Sequence, residues 1–339
     1  MLFARARIIE CRWYIFPSIK CRIKYSYLNV NTAIHIIHSN CIIAGHTHTH
    51  KGLNSMLPIT RKDIMNTKLL TNKAKLWAYS NIEYLNTPMR ILGTSTKVEK
   101  GNAEGVPDKR DTYIVYMQPA NKVALDTICA MAVAGGCKAP CLKSSGQLGI
   151  KEGNADRAAT KRTIWYLMRY AYFVLQLKAD IDKAERKSVK TGIPALFRLN
   201  GTSDIDFSDI IAERPQSQFY DYTKILSRVR KNTLDNYDLT FSASMYSVQS
   251  KAALKKAVQA RYKIAAAYNT KGLQSDNIQV PNDAVSFDDT DLRPLDASGT
   301  LGILKRKGSN KTQRASEGYQ SFFVTAQNVK EFNNIIAIG

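Results

Sequence analysis

Cys129, Cys137 and Cys141 lie together in the stretch Thr-Ile-Cys-Ala-Met-Ala-Val-Ala-Gly-Gly-Cys-Lys-Ala-Pro-Cys-Leu, and thiolates so spaced can converge on one metal centre. A closed structural zinc site normally takes four ligands, so three leave a position open for a substrate or cofactor. Three thiolates can fix an iron–sulfur cluster while an unligated iron stays free for chemistry, with burial and hydrogen bonds setting its potential. Zinc in the same triad, with water as fourth ligand, would give a hydrolytic or deaminating site. No histidine follows His50, however, and the H-x-E pattern of zinc deaminases is absent. The reading without metal is three buried small hydrophobes, because free cysteine is among the most buried residue types.

The chain that must position these thiols has 339 residues, 44% hydrophobic and 23% charged, enough for one large α/β domain or two smaller ones. No run of eighteen apolar residues appears, so no membrane span is expected. Six cysteines, three of them in one motif, do not resemble a secreted disulfide framework, and a reducing cytosol follows. A formal net charge of +21 accompanies polyanionic partners, nucleic acid or another anionic substrate, in many proteins. A solvated basic surface explains it equally, since the basic runs are short: Lys161-Arg162, Arg228 to Lys231 and Lys305-Arg306-Lys307.

Composition breaks early. His35, His38, His46, His48 and His50 and three cysteines (Cys11, Cys21, Cys41) all fall in the first fifty residues. Residues 1–64 are basic and acid-poor, without sustained helical or strand periodicity, and read as a poorly structured extension upstream of a natural start at Met56 or Met65. On this reading residues 1–64 are dispensable for folding and 65–339 form a single β/α domain. The alternating His46, His48 and His50 could hold a transition metal on one side of an extended chain.

Strands and helices then alternate. Thr112 to Met117 reads as a strand stopped by Gln118-Pro119, with the cysteines in the loop that follows. A long helix is expected from beyond Gly153 to about Lys190, ended by Gly192 and Pro194. Strands follow at Ala195–Leu199, Gln218–Tyr222, Tyr237–Ser242 and Tyr262–Tyr268, with a basic helical stretch from Lys224 and a helix from Val248 to Arg261. Gly302 to Gly308 is a late basic strand. This order predicts a parallel β/α barrel, complete or partial, or else a doubly wound sheet.

In such folds chemistry sits on the loops after the strands. Asp204, Asp221 and Lys224 are therefore candidate catalytic groups. Asn200, Ser203, Ser242, Ser244, Tyr268 and Asn269 also fall at strand ends, although turn and packing roles explain each singly. Arg198 alternates with Phe197 and Leu199, and pairing with Asp204 or Asp221 is expected. Asp288, Asp289 and Asp291 form a carboxylate cluster able to take a divalent cation, or a solvated turn.

Three ordered motifs, Thr127 to Gly146, Arg198 to Asp204 and Phe219 to Lys224, resemble those of phage-encoded and bacterial proteins of unassigned function. The likeness runs from about Tyr113 to Gly308 and takes in Leu239–Ser242 and Asp288–Arg293. That group in turn resembles radical S-adenosylmethionine enzymes. The resemblance implies a [4Fe-4S] cluster on Cys129, Cys137 and Cys141, with the open iron binding S-adenosylmethionine. It also implies Asn200, Gly201, Ser203 and Ser242 lining the cofactor cavity, and the cytoplasm of a bacterial host. The spacing here is C-x7-C-x3-C rather than C-x3-C-x2-C, and Asn200-Gly201-Thr-Ser-Asp204 stands where Gly-Gly-Glu is usual.

Overall fold

The computed structural model describes residues 58–95, 98, 108–141, 150–269, 278–306 and 322–339. All of them fall in one unit, Met56–Gly339. His46, His48, His50 and the three early cysteines lie outside the described residues.

Three short helices lead in: α1 (Arg61–Asn66), α2 (Asn72–Ser80) and α3 (Ile82–Asn86). Thr60 and Asp63 close a capping box at the start of α1, each side chain accepting the other's backbone N–H. Ile59 and Ile64 are buried in the main core. The Ile59 backbone exchanges two 2.9 Å hydrogen bonds with the Asn86 side chain. The expected boundary at residue 64 therefore cuts through α1 and removes core side chains. A chain starting at Met65 should lose stability by about 2–5 kcal/mol for each of these isoleucines. A chain starting at Met56 keeps both and should match the full chain in thermal melting.

β1 (Leu92–Gly93) pairs antiparallel with β2 (Asp111–Val115). β3 (Ala195–Arg198), β4 (Gln218–Thr223), β5 (Tyr237–Ser242), β6 (Ile264–Tyr268), β7 (Val285–Ser286) and β8 (Leu301–Lys305) complete an eight-stranded sheet. Its order is β1-β2-β3-β4-β5-β6-β8-β7, and every pair beyond β1–β2 is parallel. The strands expected from β-branched and aromatic runs are thus present in sequential order. The sheet is open, with β1 and β7 as its edges, so a closed barrel is not formed among the described residues.

Phe197, Phe219, Tyr237 and Leu239 point to one face, where they pack with helix residues such as Ile164, Phe173, Leu177 and Ile181. The long helix expected after Gly153 is two helices, α4 (Asn154–Met168) and α5 (Tyr170–Thr191). The break is Arg169, at φ −141° and ψ 49°, whose guanidinium reaches the Pro58 carbonyl at 3.0 Å and Asp63 at 3.5 Å. No glycine or proline marks the break, and the Arg169 side chain there is tied to a distant segment. Gly192, at φ 70°, ends α5 in the left-handed conformation expected of a C-cap glycine. Among the described residues four shorter helices follow: α6 (Ser208–Ala212), α7 (Leu226–Lys231), α8 (Val248–Gln259) and α9 (Val329–Ile336).

The other face combines a small apolar cluster of Leu196, Tyr220 and Leu292 with a buried ion pair. Arg198 pairs with Asp291 at 3.1 Å, and Tyr220 and Tyr222 donate to the same carboxylate at 2.8 and 3.2 Å. The expected partners Asp204 and Asp221 are replaced by Asp291 because strand alternation turns Arg198 away from them. Asp288 accepts the Lys305 N–H at 2.6 Å, while Asp289 is exposed, so Asp288, Asp289 and Asp291 diverge.

Candidate functional site

The cysteine segment leaves β2 and crosses the carboxyl ends of the parallel strands. Thr127 folds its start by donating to the Cys129 carbonyl at 2.9 Å and accepting the Cys129 N–H at 3.0 Å. Cys129 then forms an isolated parallel bridge with Asp204, whose N–H donates to the Ile128 carbonyl at 3.1 Å. Residues 129–136 turn tightly and are clamped from β5 and α8. Ser244 donates to the Gly135 carbonyl at 2.8 Å, and Ser247 and Ser250 donate to Ala134 at 3.2 and 3.3 Å.

Gly-Gly is required here by contact as well as by backbone freedom. A Cβ on Gly135 would lie 2.8 Å from the Met131 carbonyl and 2.9 Å from Lys224 Cδ. One on Gly136, which sits at φ +68°, would lie 2.4 Å from the Tyr246 ring. Gly136→Ala combines left-handed strain with that overlap, each on the order of 1–3 kcal/mol. The expected result is a measurable drop in melting temperature with faster alkylation of Cys137; unchanged values of both would contradict the clamp.

Lys224 sits under this turn. Its Nζ donates to the Ser242 carbonyl and hydroxyl at 3.1 and 3.0 Å and to the Ala243 carbonyl at 3.2 Å, 4.5 Å from the Phe322 ring centre. Asp204 accepts the Lys224 N–H at 3.0 Å and the Thr223 hydroxyl at 3.1 Å, and forms a close ion pair with Arg228. The structure places Cys129, Cys137, Asp204, Lys224 and Ser242 on neighbouring loops after the strands, with Cys141 in electrostatic reach of Cys129. Arg228 belongs to the same cluster and was not singled out by sequence, since its short basic run looks like any solvated helix face.

All three cysteines are half-buried thiols. Burial pushes the Cys129 thiol up to about 12, the Ala120 N–H at 3.4 Å pulling against it, and Cys141, Cys137 and Asp204 add to the rise. Burial also raises Cys137, and the Lys224 ammonium opposes it. Lys224 is itself lowered by burial, with Cys137 and Asp204 holding it up. Cys137 thus shares its surroundings with the Lys224 ammonium, and Cys129 with the other two thiols and Asp204.

The remaining expected site residues are turned inward. Asp221 is fully buried on the helix side, accepting from the Asn200 N–H at 2.7 Å, the Asn200 side chain at 3.1 Å and the Tyr237 hydroxyl at 3.0 Å. Ser203 donates to Asn200 at 2.8 Å, and Asn200 also donates to the Ile205 carbonyl at 2.9 Å. Gly201 lies against β2, where a Cβ would meet Ile114 at 2.6 Å and the Val115 carbonyl at 2.8 Å. Asn200, Gly201, Ser203 and Asp221 thus brace the loop that carries Asp204.

The family model described as Gene product 88 matches residues 89–318, two thirds of the chain. The chain belongs to this family. It is a phage-type family of unassigned function. No curated protein and no solved structure matches the sequence. The matched span runs from just before β1 to beyond β8 and contains Cys129, Cys137, Cys141, Asp204, Lys224, Arg228 and Ser242, while α1–α3 and α9 lie outside it. Among the described residues, no group of three or more His, Cys, Asp or Glu side chains is gathered closely enough to hold a metal ion, and no helix is long and apolar enough to cross a membrane.

Proposed function

We propose that the carboxyl-end surface is the active centre of an iron–sulfur enzyme of radical type, in which Cys129, Cys137 and Cys141 hold a [4Fe-4S] cluster. The observation that supports this reading is three half-buried thiols on the segment that follows β2, with Cys137 beside the Lys224 ammonium. The parallel run β2-β3-β4-β5-β6, each strand beside the next, is compatible with a partial β/α barrel.

The donor set fits the cluster by its chemistry, while the three sulfurs as they stand are not gathered at ligating distance. Burial holds the Cys129 and Cys137 thiols in the protonated form, so loading a metal there releases their protons. When bound, the cluster supplies one-electron chemistry and an iron without a protein ligand. Lys224 offsets the negative charge of the thiolates, Asp204 fixes the Lys224 backbone and Arg228, and Ser244, Ser247 and Ser250 hold the turn against β5 and α8.

Asn200, Gly201 and Ser203 are committed to internal contacts and Ser242 to Lys224. They do not form an open cradle for S-adenosylmethionine, and we assign that cofactor no step. Reconstitution of the full chain with ferrous iron and sulfide under anaerobic conditions should give a visible cluster absorption that disappears in the single Cys→Ala variants. A colourless protein, or one carrying zinc instead, would refute the iron–sulfur assignment.

One observation favours a second reading. The Cys129 thiol already accepts an N–H and lies 3.7 Å from the Thr202 carbonyl, as a structural cysteine would, in a chain of net charge +21. A basic nucleic-acid-associated protein would bind DNA or RNA with steep salt dependence, unaffected by substitution of the cysteines.

A further inference from the structure

We propose that a cleft behind the cysteine segment binds a small organic cation with an apolar body. The cleft holds 280 Å³, just under the roughly 300–1,000 Å³ of drug-sized sites, so it takes a compact ligand. Its apolar lining includes Leu69, Ile128, Leu167 from the last turn of α4, and Ile205.

Charge selects the ligand. Asp126 and Asp204 are the charged residues among those that line the cleft, and no lysine, arginine or histidine lines it, in a chain with 49 Lys and Arg against 28 Asp and Glu. Asp204 is neutralised from behind by Arg228. Asp126 is exposed and has no hydrogen bond or ion pair with a described residue, so it remains the uncompensated charge at the rim. Tyr166 supplies orientation: its ring is held edge-on by Phe173 and Phe207 at 5.6 and 6.3 Å, and its hydroxyl makes no hydrogen bond among the described residues. Burial keeps that phenol protonated, so it acts as a donor. An amine at Asp126, an apolar body between Leu69, Leu167 and Ile205, and an acceptor toward Tyr166 would satisfy all of these groups.

The cleft shares a wall with the thiol site, because Ile128 and Ala130 flank Cys129 and line it. Its polarity opposes the anionic substrate expected from overall charge. The inference does not depend on a metal at the cysteines, and its test uses metal-free protein.

Calorimetric titration of the full chain with phenethylamine should give a dissociation constant on the order of 1 mM, the range open to so small a ligand. Asp126→Asn, an exposed substitution, should weaken it about tenfold. Tyr166→Phe should leave phenethylamine, which has no acceptor, unchanged. The acid of similar size, 3-phenylpropionate, should not bind. Equal binding of amine and acid, undiminished amine binding by Asp126→Asn, or no amine binding to the wild type would overturn the proposal.

Discussion

Asp204→Ala is expected to destabilise the protein by about 3–5 kcal/mol, the cost of leaving one member of a buried ion pair without its partner. Asp204 and Arg228 are each 10% exposed, and the carboxylate also accepts the Lys224 N–H and the Thr223 hydroxyl. Its loss strands a guanidinium, an amide and a hydroxyl together, next to the segment that carries Cys129. By contrast the Lys251–Glu331 pair, 30% and 50% exposed, should contribute no more than about 1 kcal/mol. Urea unfolding of Asp204→Ala and Glu331→Ala side by side checks the ranking. Similar small losses in both would show that the Asp204 cluster does not hold the strand-end loops together.

Asp221→Asn should remove a pH dependence from stability. Burial raises the Asp221 carboxyl to about 6, against the opposing pull of Arg198 and of the Asn200 hydrogen bonds. In the unfolded chain the group titrates near 3.9. Between these values the folded protein keeps a proton that the unfolded chain releases, so the contribution is full below about pH 4 and is lost as pH rises through 6. The loss is about 3 kcal/mol. The stability difference between wild type and Asp221→Asn should therefore shift in favour of the variant from pH 4 to pH 6.5. A difference independent of pH would place the Asp221 carboxyl at an ordinary value.

The strands were legible in the sequence because each is a short β-branched or aromatic run bounded by turn residues: Tyr237–Ser242 in β5 is one such run, matched end to end. The cysteine loop was legible for the same reason, since Gln118-Pro119 stops β2 ahead of it. Features set by distant contacts were not. Arg169 interrupts what reads as one helix, and its side chain is tied to Pro58 and Asp63. Arg198 finds Asp291, far along the chain, instead of the nearer carboxylates. Closure was likewise unreadable, because sequential β/α order is common to open and closed sheets. Asp204, Lys224 and Ser242 stand at strand ends and are linked by hydrogen bonds through Lys224. Asn200, Gly201, Ser203 and Asp221 occupy equivalent positions and are internal braces, a distinction made only by which way each side chain turns.

The most direct test of the thiol centre is the iron and acid-labile sulfide content of the full chain after anaerobic reconstitution, measured beside the Cys129→Ala/Cys137→Ala/Cys141→Ala variant. The account predicts about four of each per wild-type chain, as in a [4Fe-4S] cluster, and almost none in the variant. Equal iron in both proteins, or none in either, would contradict it.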